Sequence, residues 1–329
     1  MKQGFAIFRA YGGPLPRSRS NHSAYLVHYI VVALLFSTCV RSPAAAKGIA
    51  AFSAATSVAA TSTGGAFEAV ERSYYQTQVA ALTVNYDTSG FDPKSIRPFL
   101  SVDDLEVRSK VLKGLQMYAE KLADIMSDRQ LTEFDSQTKA FGQSLVDMKS
   151  STALTAIAAR VPDTDLKVFT AAVDSLGRWF IESKRQKEIP KIVSGMQKPV
   201  QEICTFFIAD IGQPPGPNGR TGRGLRDQLW RQFEQKMMLQ DAFIQKNKDK
   251  LDPRTKAEEI AKLPALLTER VRMDGTLRAT QSALAKLAET HNQLAAAFDK
   301  SSPTLDELIR ELMSEGQRVK GFYEKLENR

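Results

Sequence analysis

Between Asp252 and Lys300 the apolar residues fall at a spacing that only a long helix with a helical neighbour can use. Leu277, Leu284, His291 and Phe298 recur every seven residues, and Leu287 and Leu294 supply a second set. Seven residues are almost two helical turns, so these side chains return to one face and form a lengthwise seam. The stretch reads as one long helix, or two collinear helices joined at Pro264. Asp252-Pro253 is a good start, with Asp as N-cap and Pro at the first helical position.

Similar stripes recur along the chain. They run from Leu105 to Met126, Leu131 to Met148, Leu166 to Phe180, Ile192 to Ile211, Leu225 to Ile244 and Leu305 to Leu326. No alternating run is long enough to suggest a strand. The expected fold is therefore all-α: an elongated antiparallel helical bundle with coiled-coil-like long helices. At 1.5 Å per residue the longest would extend about 70 Å. Short turns, such as Lys300 to Pro303, would make sequence neighbours antiparallel.

The N-terminus is different. Residues 1–46 hold Lys2, Arg9, Arg17, Arg19 and Arg41 and no acidic residue, so most of the net charge of +8 lies there. The rest of the chain is near balance, which argues against nucleic acid as a partner. The apolar run Tyr29 to Phe36 is too short for a bilayer span, which needs about 20 residues. Behind a basic flank it fits a signal-peptide core or a membrane anchor. Ala44-Ala45-Ala46 suits cleavage after Ala46. Leu35-Phe36-Ser37-Thr38-Cys39 resembles a bacterial lipobox, which implies lipidation at Cys39, although Phe36 and Thr38 depart from the usual pattern. The leader is long, which is consistent with a true start downstream of Met1.

These features predict five segments. Residues 1–46 are a signal peptide or anchor, and 47–65 a flexible Ala/Ser/Thr-rich tether. Residues 66–212 form the first part of the bundle. The Pro/Gly-rich stretch 213–224 is a linker, and 225–329 a long helical hairpin packing on the first part. The first helix of the body is expected to run from Phe67 to about Leu82, with a connection from Asn85 to Pro98.

Chemistry-bearing residues are sparse. The chain has two cysteines, Cys39 and Cys204, and three histidines, of which His22 and His28 lie in the leader. A zinc site of the usual Cys/His type lacks ligands, and His-based catalysis would depend on His291 alone. No metal, cofactor or catalytic residue is expected, and the reading is of a protein that is not an enzyme. Cys204 reads as a buried small hydrophobe. His291, on the seam, is the candidate pH-sensitive core residue. Arg220, Arg223 and Arg226 near a Gly-rich stretch could meet phosphate at a helix N-terminus, but no Walker or dinucleotide motif is complete there. Basic runs around Lys184 and from Lys246 to Lys256 complement helix ends or touch anionic lipid.

The expected function is binding or scaffolding by an exported, envelope-associated protein, in the periplasm or tethered to a membrane. Its partners would be proteins met through helix faces, a second copy among them, with the membrane reached through the N-terminal segment. The alternatives are a membrane-active, pore-forming-like helical protein and a cytosolic partner-binding protein.

Overall fold

The computed structural model describes residues 43–126, 136–148, 163–182, 189–216, 222–296 and 303–327. These fold into an all-α bundle: α1 (Pro43–Ser89), α2 (Val102–Met126), α3 (Ser136–Asp147), α4 (Asp163–Glu182), α5 (Ile189–Ile211), α6 (Gly224–Asn247), α7 (Pro253–Ala296) and α8 (Pro303–Glu327). The expected all-α bundle stands, and side chains from all eight helices share one hydrophobic core.

The largest correction concerns residues 47–65. They are not a tether but the N-terminal half of α1, which at 47 residues is longer than α7 at 44. The segment carries a heptad of its own. Ile49, Thr56, Thr63, Val70 and Thr77 occupy one buried row, and Phe52, Ala59, Ala66 and Ser73 the other. Buried hydroxyls need acceptors. Those of Thr63 and Thr77 donate back to the carbonyls of Ala59 at 2.7 Å and Ser73 at 3.0 Å. Small side chains let α8 approach closely. Ser62 Oγ donates to the Gly316 carbonyl at 3.0 Å, and a Cβ on Gly316 would lie 2.7 Å from Val58 Cγ1. The body thus begins well before Ala66.

α1 also runs beyond Leu82 into the expected connection, to Ser89. It ends where Gly90, at φ 62°, donates its amide to the Tyr86 carbonyl at 2.8 Å. The chain then returns along α1. Glu71 accepts the amides of Phe99 and Leu100, and the Gln78 side chain bonds both backbone groups of Arg97. Ser101 and Asp104 cap α2 reciprocally. As expected, Asp252 caps α7, accepting the amides of Arg254 and Thr255 at 3.0 Å each. Pro264 lies inside the continuous α7.

Consecutive long helices run antiparallel, as α7 and α8 do through Lys286 and Glu311. The first helix instead runs parallel to two distant ones. Gly48 lies beside Leu305 and Ser62 beside Gly316 on α8, and Ser73 and Val84 bond Lys236 and Lys246 on α6. α3 and α4 cross in backbone contact: a Cβ on Gly142 would lie 2.8 Å from the Gly177 carbonyl oxygen.

The stretch at 213–224 is pinned at its ends. Gln213 and Arg223 exchange both backbone hydrogen bonds, at 2.9 and 3.0 Å, and Gly212 and Gly224 each adopt φ 71°, a conformation that costs glycine little. The helices on either side belong to the same core, so it does not separate two bodies.

Candidate functional site

Charge is buried in this bundle at three cations. On α2, the Arg108 guanidinium makes a two-pronged pair with Asp210 of α5, at 2.8 and 2.9 Å, and bonds the Asp104 carbonyl at 3.0 Å. It also lies 5.3 Å from the centre of the Phe67 ring. Burial alone would lower its pKa, but Asp210 and Asp104 outweigh that and raise it. On α6, Arg226 pairs with both oxygens of Asp274 at 2.8 Å each and reaches Gln281. Gln281 in turn donates to the carbonyls of Ile208 and Gly212, closing the end of α5. Arg226, one of the arginines read as a phosphate candidate, is thus committed to a carboxylate. The third cation, Lys236, is treated below.

His291 lies in the core as the heptad predicts, with no exposed surface. Its Nε2 and the Tyr118 hydroxyl share a hydrogen bond at 2.8 Å, and Nδ1 has no partner among the described residues. Phe52 and Tyr118 flank the ring, and Trp179 meets Tyr118 edge-on. Burial lowers the imidazole pKa to about 4, so His291 is neutral near pH 7. Burial pushes Cys204 up to about 12, which leaves its thiol unreactive. Cys39 lies outside the described residues, as do Phe298, Arg220 and the run around Lys184. Ala46 is half-buried in the first turn of α1 and packs against the core.

Beyond the core, α1, α6 and α7 continue together as a three-helix arm. Lys236 Nζ donates to Ser73 Oγ at 3.1 Å, Lys246 Nζ to the Val84 carbonyl at 3.2 Å, and Gln240 to the Glu259 carboxylate at 2.9 Å. The outer faces of the arm carry apolar rows that are exposed among the described residues. Tyr75, Val79 and Tyr86 are exposed on α1, with half-buried Leu82 between them. Ile260, Leu267 and Val271 are exposed on α7, with Pro264 in the same row. Tyr86 is 60% and Val271 63% exposed. Both rows repeat the offsets i, i+4, i+7 and i+11, which place four residues on one face over three turns. At the tip, Lys248, Lys250, Arg254 and Lys256 outnumber Asp249 and Asp252.

Between the three helices lies a groove of about 350 Å³, open to solvent. Sequence reading missed the rows, because the stripes of α1 and α7 were assigned to packing within the bundle. It also missed Lys236, which periodicity alone would have flagged. The residue follows Leu229 and Phe233 on the buried face of α6.

Among the described residues no group of three or more His, Cys, Asp or Glu side chains could hold a metal ion. Among the same residues no helix is long and apolar enough to cross a membrane. No protein-family model matches the chain, and neither does any characterised protein or solved structure.

Proposed function

We propose that this chain is an exported, envelope-associated helical module that works by binding rather than catalysis, and that the arm is its docking surface. The observation that carries this reading is the pair of exposed rows, Tyr75-Val79-Leu82-Tyr86 and Ile260-Pro264-Leu267-Val271. Apolar side chains at these offsets are what an amphipathic partner helix packs against. Exposed apolar rows cost solubility unless a partner covers them, and exposed aromatic residues are the usual anchors of such contacts. The acid-free basic leader with its short apolar run supports export, by plain cleavage or by lipidation at Cys39.

The test is photo-crosslinking in cells, with the crosslinking residue placed at Tyr86, at Val271, or at half-buried Lys110 of α2. A discrete adduct is expected at Tyr86 and Val271 and not at Lys110. The Tyr75→Glu, Leu267→Glu double variant should lose the Tyr86 and Val271 adducts while keeping wild-type helicity. Equal crosslinking at all three positions overturns the reading. An adduct of twice the chain mass identifies the partner as a second copy.

A further inference from the structure

Lys236 differs from the other two buried cations in what neutralises it. It is only 7% exposed, yet its ammonium bonds neutral oxygens, Ser73 Oγ at 3.1 Å and Gln76 Oε1 at 3.4 Å. Among the described residues no carboxylate is within ion-pair distance of it; Glu269 acts on it only through space. Its ammonium lies 4.8 Å from the centre of the Phe233 ring. A buried charge without a counter-charge is costly, and burial duly lowers its pKa.

Lys236 is one of the residues that line the groove between the arm helices, which is open to solvent, and Gln76, which its ammonium contacts, lines it as well. The rest of the wall sets what kind of anion. Ala80, Val84, Leu239, Phe243 and Leu266 form an apolar strip along it, beside the polar Gln76, Thr83, Gln240 and Lys262. Glu259 is already occupied by Lys262, at 2.7 and 2.8 Å, and by Gln240. Together with Glu269 it would repel a second negative charge. The volume is at the low end for small-molecule sites, which begin at about 300 Å³.

We propose that the groove binds a small monocarboxylate with an unbranched apolar body, its carboxylate on Lys236 and its body along Ala80, Val84, Leu239, Phe243 and Leu266. The carboxylate supplies the counter-charge that Asp210 gives Arg108 and Asp274 gives Arg226. The body covers the apolar wall, and the single charge avoids Glu259 and Glu269. The site does not depend on the docking rows, which are made of other side chains.

Calorimetric titration of the full chain with octanoate and with 1-octanol, both below their aggregation limits, tests this. Octanoate should bind at one site, with octanol weaker by about tenfold or more, because a charge-assisted bond is lost. Lys236→Met should abolish the preference for the acid, and Lys236→Arg should keep most of it. Equal affinity for acid and alcohol in the wild type overturns the proposal, as does a Lys236→Met chain that still prefers the acid. If Lys236→Met lacks wild-type helicity, Ala80→Phe serves instead. It fills the groove, and octanoate binding that survives it overturns the proposal. The crosslinking pattern at Tyr86 and Val271 is independent of all these outcomes, so the two readings fail separately.

Discussion

The body of the bundle and its arm share three helices, α1, α6 and α7, yet they are filled differently. In the body the heptad rows of α1 and α7 face other helices on several sides, and large side chains such as Phe52, Phe67, Leu284 and Leu287 are buried in one continuous core. In the arm, among the described residues, the same helices pack on each other. Ile244 is buried there but stands apart from that core, Leu266 is half-buried, and Lys236 and Gln240 take positions where the body would place Leu or Phe. Three helices cannot enclose as much apolar surface as eight, so the arm leaves apolar rows outside and mixes polar side chains such as Lys236 and Gln240 with the apolar ones between. A helix pair held by hydrogen bonds and a thin core opens at lower free energy than a fully packed one. The difference assigns rigidity to the body and accessible surface to the arm.

The sharpest way to break this contrast is at a buried pair in the body. Arg108→Ala leaves Asp210 and Asp104 buried without their cation, and should cost about 3–5 kcal/mol by denaturant unfolding. A cost below about 1 kcal/mol would show that water reaches this region as it reaches the arm.

The next effect is pH-dependent. His291 titrates at about 4 in the fold against 6.5 when free. The unfolded chain therefore binds the proton first as pH falls. The stability due to neutral His291 is fully present above about pH 6.5 and is lost as pH drops towards about 4. The loss should reach about 3 kcal/mol, from about 1.4 kcal/mol per pKa unit. It should vanish in His291→Leu, whose pH profile over this window gives the difference directly.

Truncating one leucine in each region compares their packing. Leu284→Ala, wholly buried, should cost about 2–5 kcal/mol, whereas Leu266→Ala, half-buried in the arm, should cost about 1 kcal/mol or less. Amide exchange of arm residues near Phe243 should precede that near Leu284. Identical protection in the two places would sink the idea of a softer arm.

The smallest effect is a gain. Nothing lies within 4 Å of a Cβ built on Gly64, so Gly64→Ala should stabilise α1 by about 1 kcal/mol. The same change at Gly142 would strike the Gly177 carbonyl and should destabilise.

The seam of α7 was legible because its core residues are leucines, and Leu277, Leu284, Leu287 and Leu294 are all buried with His291 among them. The seam of α1 has the same period but is built from Thr, Ala and Ser between Ile49, Phe52 and Val70. Hydropathy treats such residues as linker material, while close helix packing uses them because they are small. The end caps at Ser101 and Asp252 were legible from local chemistry. Lys236 could be read from periodicity, since it follows Leu229 and Phe233 on one face, but the carboxylate pairs of Arg108 and Arg226 were not legible, because each depends on which distant residue the fold brings near. Arg108 and Asp210 lie 102 positions apart.

The parallel pairing of α1 with α8 has a consequence for how the chain acquires its fold. Ser62 and Gly316 are separated by 254 positions, so the face of α1 that α8 covers stays open until α8 itself has been made. Contacts of such long range slow folding, since a large loop must close before they form. During synthesis Ile49 and Phe52 are available to any binder of exposed apolar segments. The last helix thus acts as a latch on the first, and shortening the chain ahead of Pro303 should leave α1 half-dressed even where every earlier helix is intact.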